Sequence, residues 1–347
     1  MKTIVTINNS IRAKITDKCG LSCGFCHNEG TLVRRADSNR VSIFSKRNHC
    51  RLYPGEMSVD DNFLSLFKQA KYRLDVEDVH LTGGEPSLNM HVEDIIASLK
   101  GLGLTVKMTS NGETGGDRIK DIIDAGIDGI NFSILGLTGE DFLKTQNNCH
   151  LDKSFYENKI RRMYEAIDLA IKEGIYVAAN MVVSDFSSIN KAIDLINYYK
   201  NSLQIEIQPD LSNIKESESA IEELLVRIGA TPIERKIIAG VSDERITYEV
   251  KNGVKIVNKK IRRIILNNAC SGCPYSETDC VEGFSGPRVY IDAENNYYIG
   301  FCIMRMERTA PYDSFFSSQL CDEILSLYYN DYNNLIGKFC LVSFSKQ

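Results

Sequence analysis

The 347-residue sequence is informative first in what it lacks. No apolar run approaches the roughly 20 residues of a membrane span. The N-terminal stretch Met1-Lys2-Thr3-Ile4-Val5-Thr6-Ile7 has no long apolar core and no small-residue cleavage site, so no signal peptide is expected. Positive charge is not in excess: 41 Lys and Arg stand against 46 Asp and Glu, a net charge of −5, which argues against a nucleic-acid-binding protein. There is no internal repeat and no low-complexity segment. The five histidines form no ligand pattern; His27 reads as shaping a neighbouring loop, and His49, His80, His91 and His150 as surface or core residues.

What is present is cysteine, eleven residues in all. Without a secretory signal, that number points to a reducing, cytoplasmic compartment and to metal or redox use rather than disulfides. The apolar fraction of 43% and charged fraction of 25% are those of an ordinary globular protein. The length suits one large domain, or one plus a smaller one.

Three of the cysteines fall in Cys19-Gly20-Leu21-Ser22-Cys23-Gly24-Phe25-Cys26, a C-x3-C-x2-C spacing. One tight loop with this spacing can aim three thiolates at a point. A [4Fe–4S] cube normally takes four cysteines, so three leave one iron open to a small molecule. Zinc, with His27 as a fourth ligand, is the alternative reading of the triplet alone, although zinc favours closed sets built from C-x2-C pairs. The aromatic Phe25 before the third cysteine completes C-x3-C-x-aromatic-C, and here the sequence resembles the radical S-adenosylmethionine (radical SAM) superfamily. That resemblance implies that the open iron chelates SAM, that electron transfer cleaves SAM to methionine and a 5′-deoxyadenosyl radical, and that the radical abstracts hydrogen from a substrate.

Downstream, apolar runs alternate with helical patterns. Strands are expected over 11–16, 78–82, 105–109, 129–135, 175–183 and 203–208. Helices are expected over 58–72, 91–102, 117–124, 155–172 and 188–199. Six strands, five of them separated by helices, predict right-handed βα units around a parallel sheet. The expected fold is α/β, a partial (β/α)6 radical SAM barrel over residues 10–210, with a small C-terminal auxiliary-cluster region over 211–347. In such sheets the site lies at the carboxyl ends of the strands. There the cysteine loop follows the first strand, Gly83-Gly84-Glu85-Pro86 ends the second and Ser110-Asn111-Gly112 ends the third, while Ser133 and Asn180 lie in the next two. Glycines permit positive φ and close backbone approach; alone, Gly-Gly would read as a turn. The resemblance implies that Gly83, Gly84 and Glu85 meet the SAM amino group, that Ser110 and Asn111 lie near its ribose and methionine, and that Ser133 and Asn180 contact its carboxylate or ribose.

After residue 210 the alternation fails. A helix is expected over 216–228, a hairpin around Lys251-Asn252-Gly253, a second hairpin from Arg288–Asp292 to Tyr297–Cys302, and a helix over 318–329 that buries Cys321. Cys270, Cys273, Cys280 and Cys302 make four thiolates, suited to a second cluster or a structural zinc. The arrangement is similar to the twitch and SPASM modules of radical SAM enzymes and implies one auxiliary [4Fe–4S] cluster. It is also similar to the GTP 3′,8-cyclase family of molybdenum-cofactor synthesis, but an insertion carrying Cys280 separates the pair from the hairpin and the sequence does not end in Gly-Gly, so GTP cyclisation is not the expected reaction. Cys50 and Cys149, in polar loops, are candidate hydrogen-atom donors to a substrate radical; Cys340 has no assigned role.

The expected function is hydrogen abstraction from a small metabolite of sugar, nucleoside or aminocyclitol type. A flavodoxin or ferredoxin is expected as electron donor, with neither nucleic acid nor membrane as partner. Maturation of a ribosomal peptide is the alternative, disfavoured because only eighteen residues precede Cys19. A non-catalytic redox sensor is the alternative of another class. Residues 31–57 carry Arg34, Arg35, Arg40, Lys46, Arg47 and Arg51 with few acids. They read either as a lid over an anionic substrate or as a docking surface for an acidic flavodoxin.

Overall fold

The computed structural model describes residues 1–21, 23, 26, 53–146, 152–273, 280, 283–302 and 308–340. The parallel heart consists of β2 (Ser10–Thr16), β3 (Asp78–Gly83), β4 (Thr105–Ser110), β5 (Gly129–Ser133), β6 (Tyr176–Val183) and β7 (Gln204–Pro209), adjacent in chain order. Between them run α1 (Asp61–Leu74), α2 (Val92–Gly101), α3 (Gly116–Asp124), α4 (Gly139–Lys144), α5 (Lys153–Lys172) and α6 (Ile189–Tyr199). This is the expected partial (β/α)6 barrel. The short α4 was not anticipated from the sequence; at six residues its pattern is too brief to show a period.

The local reasons are visible residue by residue. The Asp60 side chain accepts the Phe63 N–H at 2.6 Å and so starts α1, whose Phe63, Leu66, Phe67, Ala70 and Leu74 bury one face. On β2, Ile11, Ala13 and Ile15 are buried under the helices. Strand alternation therefore turns Arg12, Lys14 and Thr16 to the other face, the barrel interior.

Beyond residue 210 the same sheet continues in both directions. On one side β7 pairs with β10 (Lys255–Ile261), then β9 (Asp243–Glu249), β8 (Thr231–Ala239) and β1 (Lys2–Ile7). The β9–β10 pair is the expected hairpin, closed by Val250 N–H donating to Val254 O at 2.9 Å. On the other side β2 pairs with β11 (Arg288–Ile291), then β12 (Tyr297–Gly300) and β13 (Thr309–Pro311). β1 and β8 were not expected; they pair with each other across more than two hundred residues of chain, which leaves no local signature.

β1 ends one edge of the thirteen-stranded sheet, yet Asn8 and Asn9 alone separate it from β2, the tenth strand in order. The sheet must therefore curl back on itself. Asn8 sits in this seam: its N–H donates to Ala239 O at 3.3 Å and its Nδ2 to Tyr328 Oη at 2.8 Å, on the helix Gln319–Cys340. Cys321 on that helix is fully buried, as its apolar setting predicted. No helix among the described residues is long and apolar enough to cross a membrane.

Candidate active site

The cysteine loop leaves the carboxyl end of β2, and its thiols spread over the barrel mouth. Asn111 Nδ2, just after β4, donates toward Cys19 Sγ at 3.6 Å. Cys23 forms an isolated antiparallel bridge with Gln146, whose Nε2 donates to Cys23 Sγ at 3.1 Å. Cys26 N–H donates to Cys23 O at 3.2 Å. Burial pushes the Cys23 thiol up to about 12, with neighbouring Cys26 adding to the rise and the Gln146 hydrogen bond opposing it. Cys19, exposed at the surface, is also raised, chiefly by desolvation from the groups around its sulfur, with Glu113 and Glu85 adding to the rise. The loop carries three free cysteines, the donor type an iron–sulfur cube takes, so the donor chemistry fits that group, although in this arrangement the three side chains do not converge on one metal position.

The Gly83-Gly84-Glu85-Pro86 segment has a structural role the sequence did not disclose. Gly84 N–H donates to Thr16 O at 2.8 Å, and Glu85 N–H to Lys18 O at 2.7 Å. A Cβ on Gly84 would stand 2.3 Å from Lys18 O. The glycine lets the end of β3 lie directly on the backbone that leads into the cysteine loop. Gly83 has φ of 147°, in the region that favours glycine.

Glu85 is buried, and its carboxylate is fully engaged within the protein. Oε1 accepts from Ser87 N (3.1 Å), Ser87 Oγ (2.6 Å) and Ser110 Oγ (2.8 Å), and Oε2 from Asn111 N (2.6 Å). Burial raises its pKa and these hydrogen bonds oppose the rise. Glu85 and Ser110 thus bind each other and fix Asn111, which carries the reach toward Cys19. Ser133 and Asn180 are register partners on β5 and β6, and Asn180 Oδ1 is a buried acceptor with no partner among the described residues.

Two residues missed by sequence reasoning complete the Cys19 corner. Glu113 is buried and accepts from Gly20 N at 2.8 Å, and Lys159 on α5 pairs with it at 2.6 Å. The only trace of this in the sequence is Gly20 itself, since a Cβ there would fall 2.0 Å from Glu113 Oε2.

Below the mouth the interior is polar and charged. Glu206 on β7 is fully buried and pairs with Lys259 on β10 at 2.6 Å and with Arg245 on β9 at 3.4 Å; Arg245 also pairs with Asp243 at 2.9 Å. His80 on β3 bonds Thr109 Oγ1 at 2.7 Å and is pushed well below the usual histidine range, first by burial and then by Arg12, Lys259, Lys107 and Arg245. Lys259 and Arg245 lie many strands from His80 in sheet order, so they meet it across the barrel interior. Asn131 Oδ1 is another buried acceptor with no partner among the described residues.

In the C-terminal region, Cys270 lies near Cys273 and Cys280, and Cys273 N–H donates to Cys270 O at 3.1 Å. Cys280 Sγ accepts from Gly283 N at 3.2 Å, and Arg308 Nη2 braces Ser271 O at 3.2 Å. Cys302 follows β12, the second strand of the expected hairpin. Among the described residues no three Cys, His, Asp or Glu side chains form a closed metal cage. Phe25, Cys50, Cys149, His27 and the six basic residues of the expected lid lie outside the described residues. The last part of that 31–57 segment is packed: Met57 is buried, Tyr53 stacks on Tyr290 at 5.1 Å, and Tyr53 O accepts from Lys14 Nζ at 2.5 Å.

A partial βα barrel with a C-x3-C-x2-C loop over its mouth defines a class of enzyme. The sequence matches the radical SAM superfamily over residues 13–198, and the chain belongs to that family. It is an enzyme family, and it implies a [4Fe–4S] cluster and SAM. Among similar proteins, the probable GTP 3′,8-cyclase of Methanosarcina mazei is 29% identical over 224 residues, covering 62% of this chain and 60% of that protein. The GTP 3′,8-cyclase of Clostridium perfringens is 23% identical over 295 residues, covering 84% of this chain and 75% of its own. The chain thus spans about three fifths of the Methanosarcina protein. Among solved structures, SuiB from Streptococcus suis superposes with a TM-score of 0.51 at 13% identity, over 93% of this chain and 66% of that one, a likeness of fold.

Proposed function

We propose that this radical SAM enzyme abstracts hydrogen from a small, polar, anionic metabolite held in the barrel interior. The observation that carries the reading is the polar interior: His80, Glu206, Arg245 and Lys259 interact with one another there, and Asn131 on β5 adds a buried acceptor, a surface suited to a compact, hydrogen-bonding molecule rather than to an apolar one. Residues 10–210 serve as the catalytic barrel. Cys19, Cys23 and Cys26 hold the cluster; when bound, the cluster and SAM supply the radical chemistry of the family. Gly83 and Gly84 shape the floor on which SAM rests, Asn111 approaches it beside Cys19, and Ser133 and Asn180 offer hydrogen bonds from the next two strands. Glu85 and Ser110 act from behind by fixing Asn111.

Residues 211–347 carry a second cluster on Cys270, Cys273, Cys280 and Cys302, supported by the proximity of the first three. A flavodoxin or ferredoxin in a reducing compartment supplies the electron. The names of the relatives make GTP the first substrate probe, with nucleotide-linked sugars and aminocyclitols beside it.

The test is anaerobic reconstitution followed by dithionite-driven formation of 5′-deoxyadenosine. About eight irons are expected in the intact protein and about four in the triple variant of Cys19, Cys23 and Cys26 to Ala. Wild-type yield of 5′-deoxyadenosine from the triple variant would refute the placement, and zinc or no metal in it would refute the second cluster. Turnover stimulated by a precursor peptide and by none of the small-molecule probes would refute the substrate class.

A further inference from the structure

One side chain ties the turn after β4 back onto the cysteine loop. Glu113 Oε1 accepts from Gly20 N at 2.8 Å and Asn111 Nδ2 at 3.2 Å, and lies 4.0 Å from Cys19 Sγ. Its Oε2 pairs with Lys159 Nζ at 2.6 Å, and its main-chain O accepts from Arg162 Nη1 at 3.4 Å, both from α5. The Lys159 ammonium also sits 5.4 Å from the centre of the Phe155 ring. The close approach of these oxygens depends on glycine at position 20, where a Cβ would fall 2.0 Å from Glu113 Oε2.

Burying a carboxylate is costly unless it is paired and hydrogen-bonded, and Lys159, Gly20 and Asn111 supply both. A neutral amide could hold the Gly20 N–H equally well. What the carboxylate adds is a negative charge 4.0 Å from a thiol, balanced by an ammonium 2.6 Å from its other oxygen.

We propose that Glu113, with Lys159 as its counter-ion, is a positioning residue that sets the electrostatic field at the Cys19 corner and thereby the reduction potential of the iron–sulfur cluster. This rests on the cluster placement proposed above. Reduction adds one electron, supplied by dithionite or the physiological donor, to a group that already carries thiolate charge. A nearby carboxylate disfavours that added charge and a nearby ammonium favours it.

The pair therefore predicts opposite signs. On the full-length reconstituted protein, EPR-monitored redox titration of the Cys19–Cys23–Cys26 cluster is expected to give a more positive midpoint for Glu113→Gln and a more negative one for Lys159→Met. The double variant is expected to return toward wild type, and Lys159→Arg to match it. If Lys159→Met loses iron, the Glu113→Gln shift together with the Lys159→Arg match decides. An unshifted midpoint in Glu113→Gln at full iron content overturns the inference, as do shifts of the same sign in both single variants, which would mark a purely structural clamp. Failure of the wild-type protein to hold a cluster on Cys19, Cys23 and Cys26 is seen in its iron count before any variant is made; that result overturns the placement itself, and the inference with it.

Discussion

Replacing Glu85 separates two roles that the sequence alone would merge. If its carboxylate served SAM only, its loss would weaken cofactor binding and leave stability unchanged. The structure instead gives the carboxylate four donors: Ser87 N, Ser87 Oγ, Ser110 Oγ and Asn111 N. Glu85→Gln keeps one oxygen and turns an amide N–H against the remaining donors. In the best placement the amide oxygen keeps the Ser87 and Ser110 bonds and the NH2 meets Asn111 N, leaving a buried mismatch worth about 1–3 kcal/mol. Glu85→Ala removes all four bonds and leaves a cavity, at a cost of about 3–5 kcal/mol. With an unfolding entropy of about 2.1 cal/mol/K per residue, each kcal/mol lowers Tm by about 1.4 °C in a chain of this length. Falls of about 1–4 °C for the glutamine and about 4–7 °C for the alanine variant follow. Anaerobic thermal melts, with and without SAM, measure this directly. A Glu85→Ala variant that melts within about 1 °C of wild type while losing SAM binding would refute the reasoning.

Gly84→Ala is expected to destabilise by about 1–3 kcal/mol, because the new Cβ meets the Lys18 and Asp17 carbonyl oxygens at 2.3 and 2.7 Å. Gly101→Ala in α2, where nothing lies within 4 Å, is the control and is expected to be neutral or slightly stabilising in the same melt. His80 has a folded-state pKa depressed below its ordinary value of 6.5, so its contribution is intact above that pH and is lost as pH falls. Below it the unfolded chain takes up a proton that the folded protein resists, at up to about 1.4 kcal/mol per pH unit. Urea unfolding of wild type between pH 7.5 and 5.5 should therefore lose more stability, by roughly that amount, than His80→Gln; parallel curves would show that His80 does not carry the effect.

The sequence by itself determined the barrel strands, their helices apart from the short α4, and the position of the cysteine loop, because each of these is written locally. Strand and helix periods repeat within a few residues, Asp60 caps α1 from its own first turn, and the three cysteines lie within one loop. Both C-terminal hairpins were legible for the same reason. Only the tertiary structure decided what the site residues touch. Glu113 meets Gly20 across 93 residues and Lys159 across 46, and neither separation leaves a period or a motif. Glu85 was singled out by its place after two glycines; that folding β3 beside β4 also makes it the partner of Ser110 and Asn111 was not legible. The curl that brings Lys259 and Arg245 opposite His80 depends on β8, β9 and β10 joining β7 and on β1 closing the seam. Such pairings are set by the shape of the whole sheet, and no short stretch of sequence contains that shape.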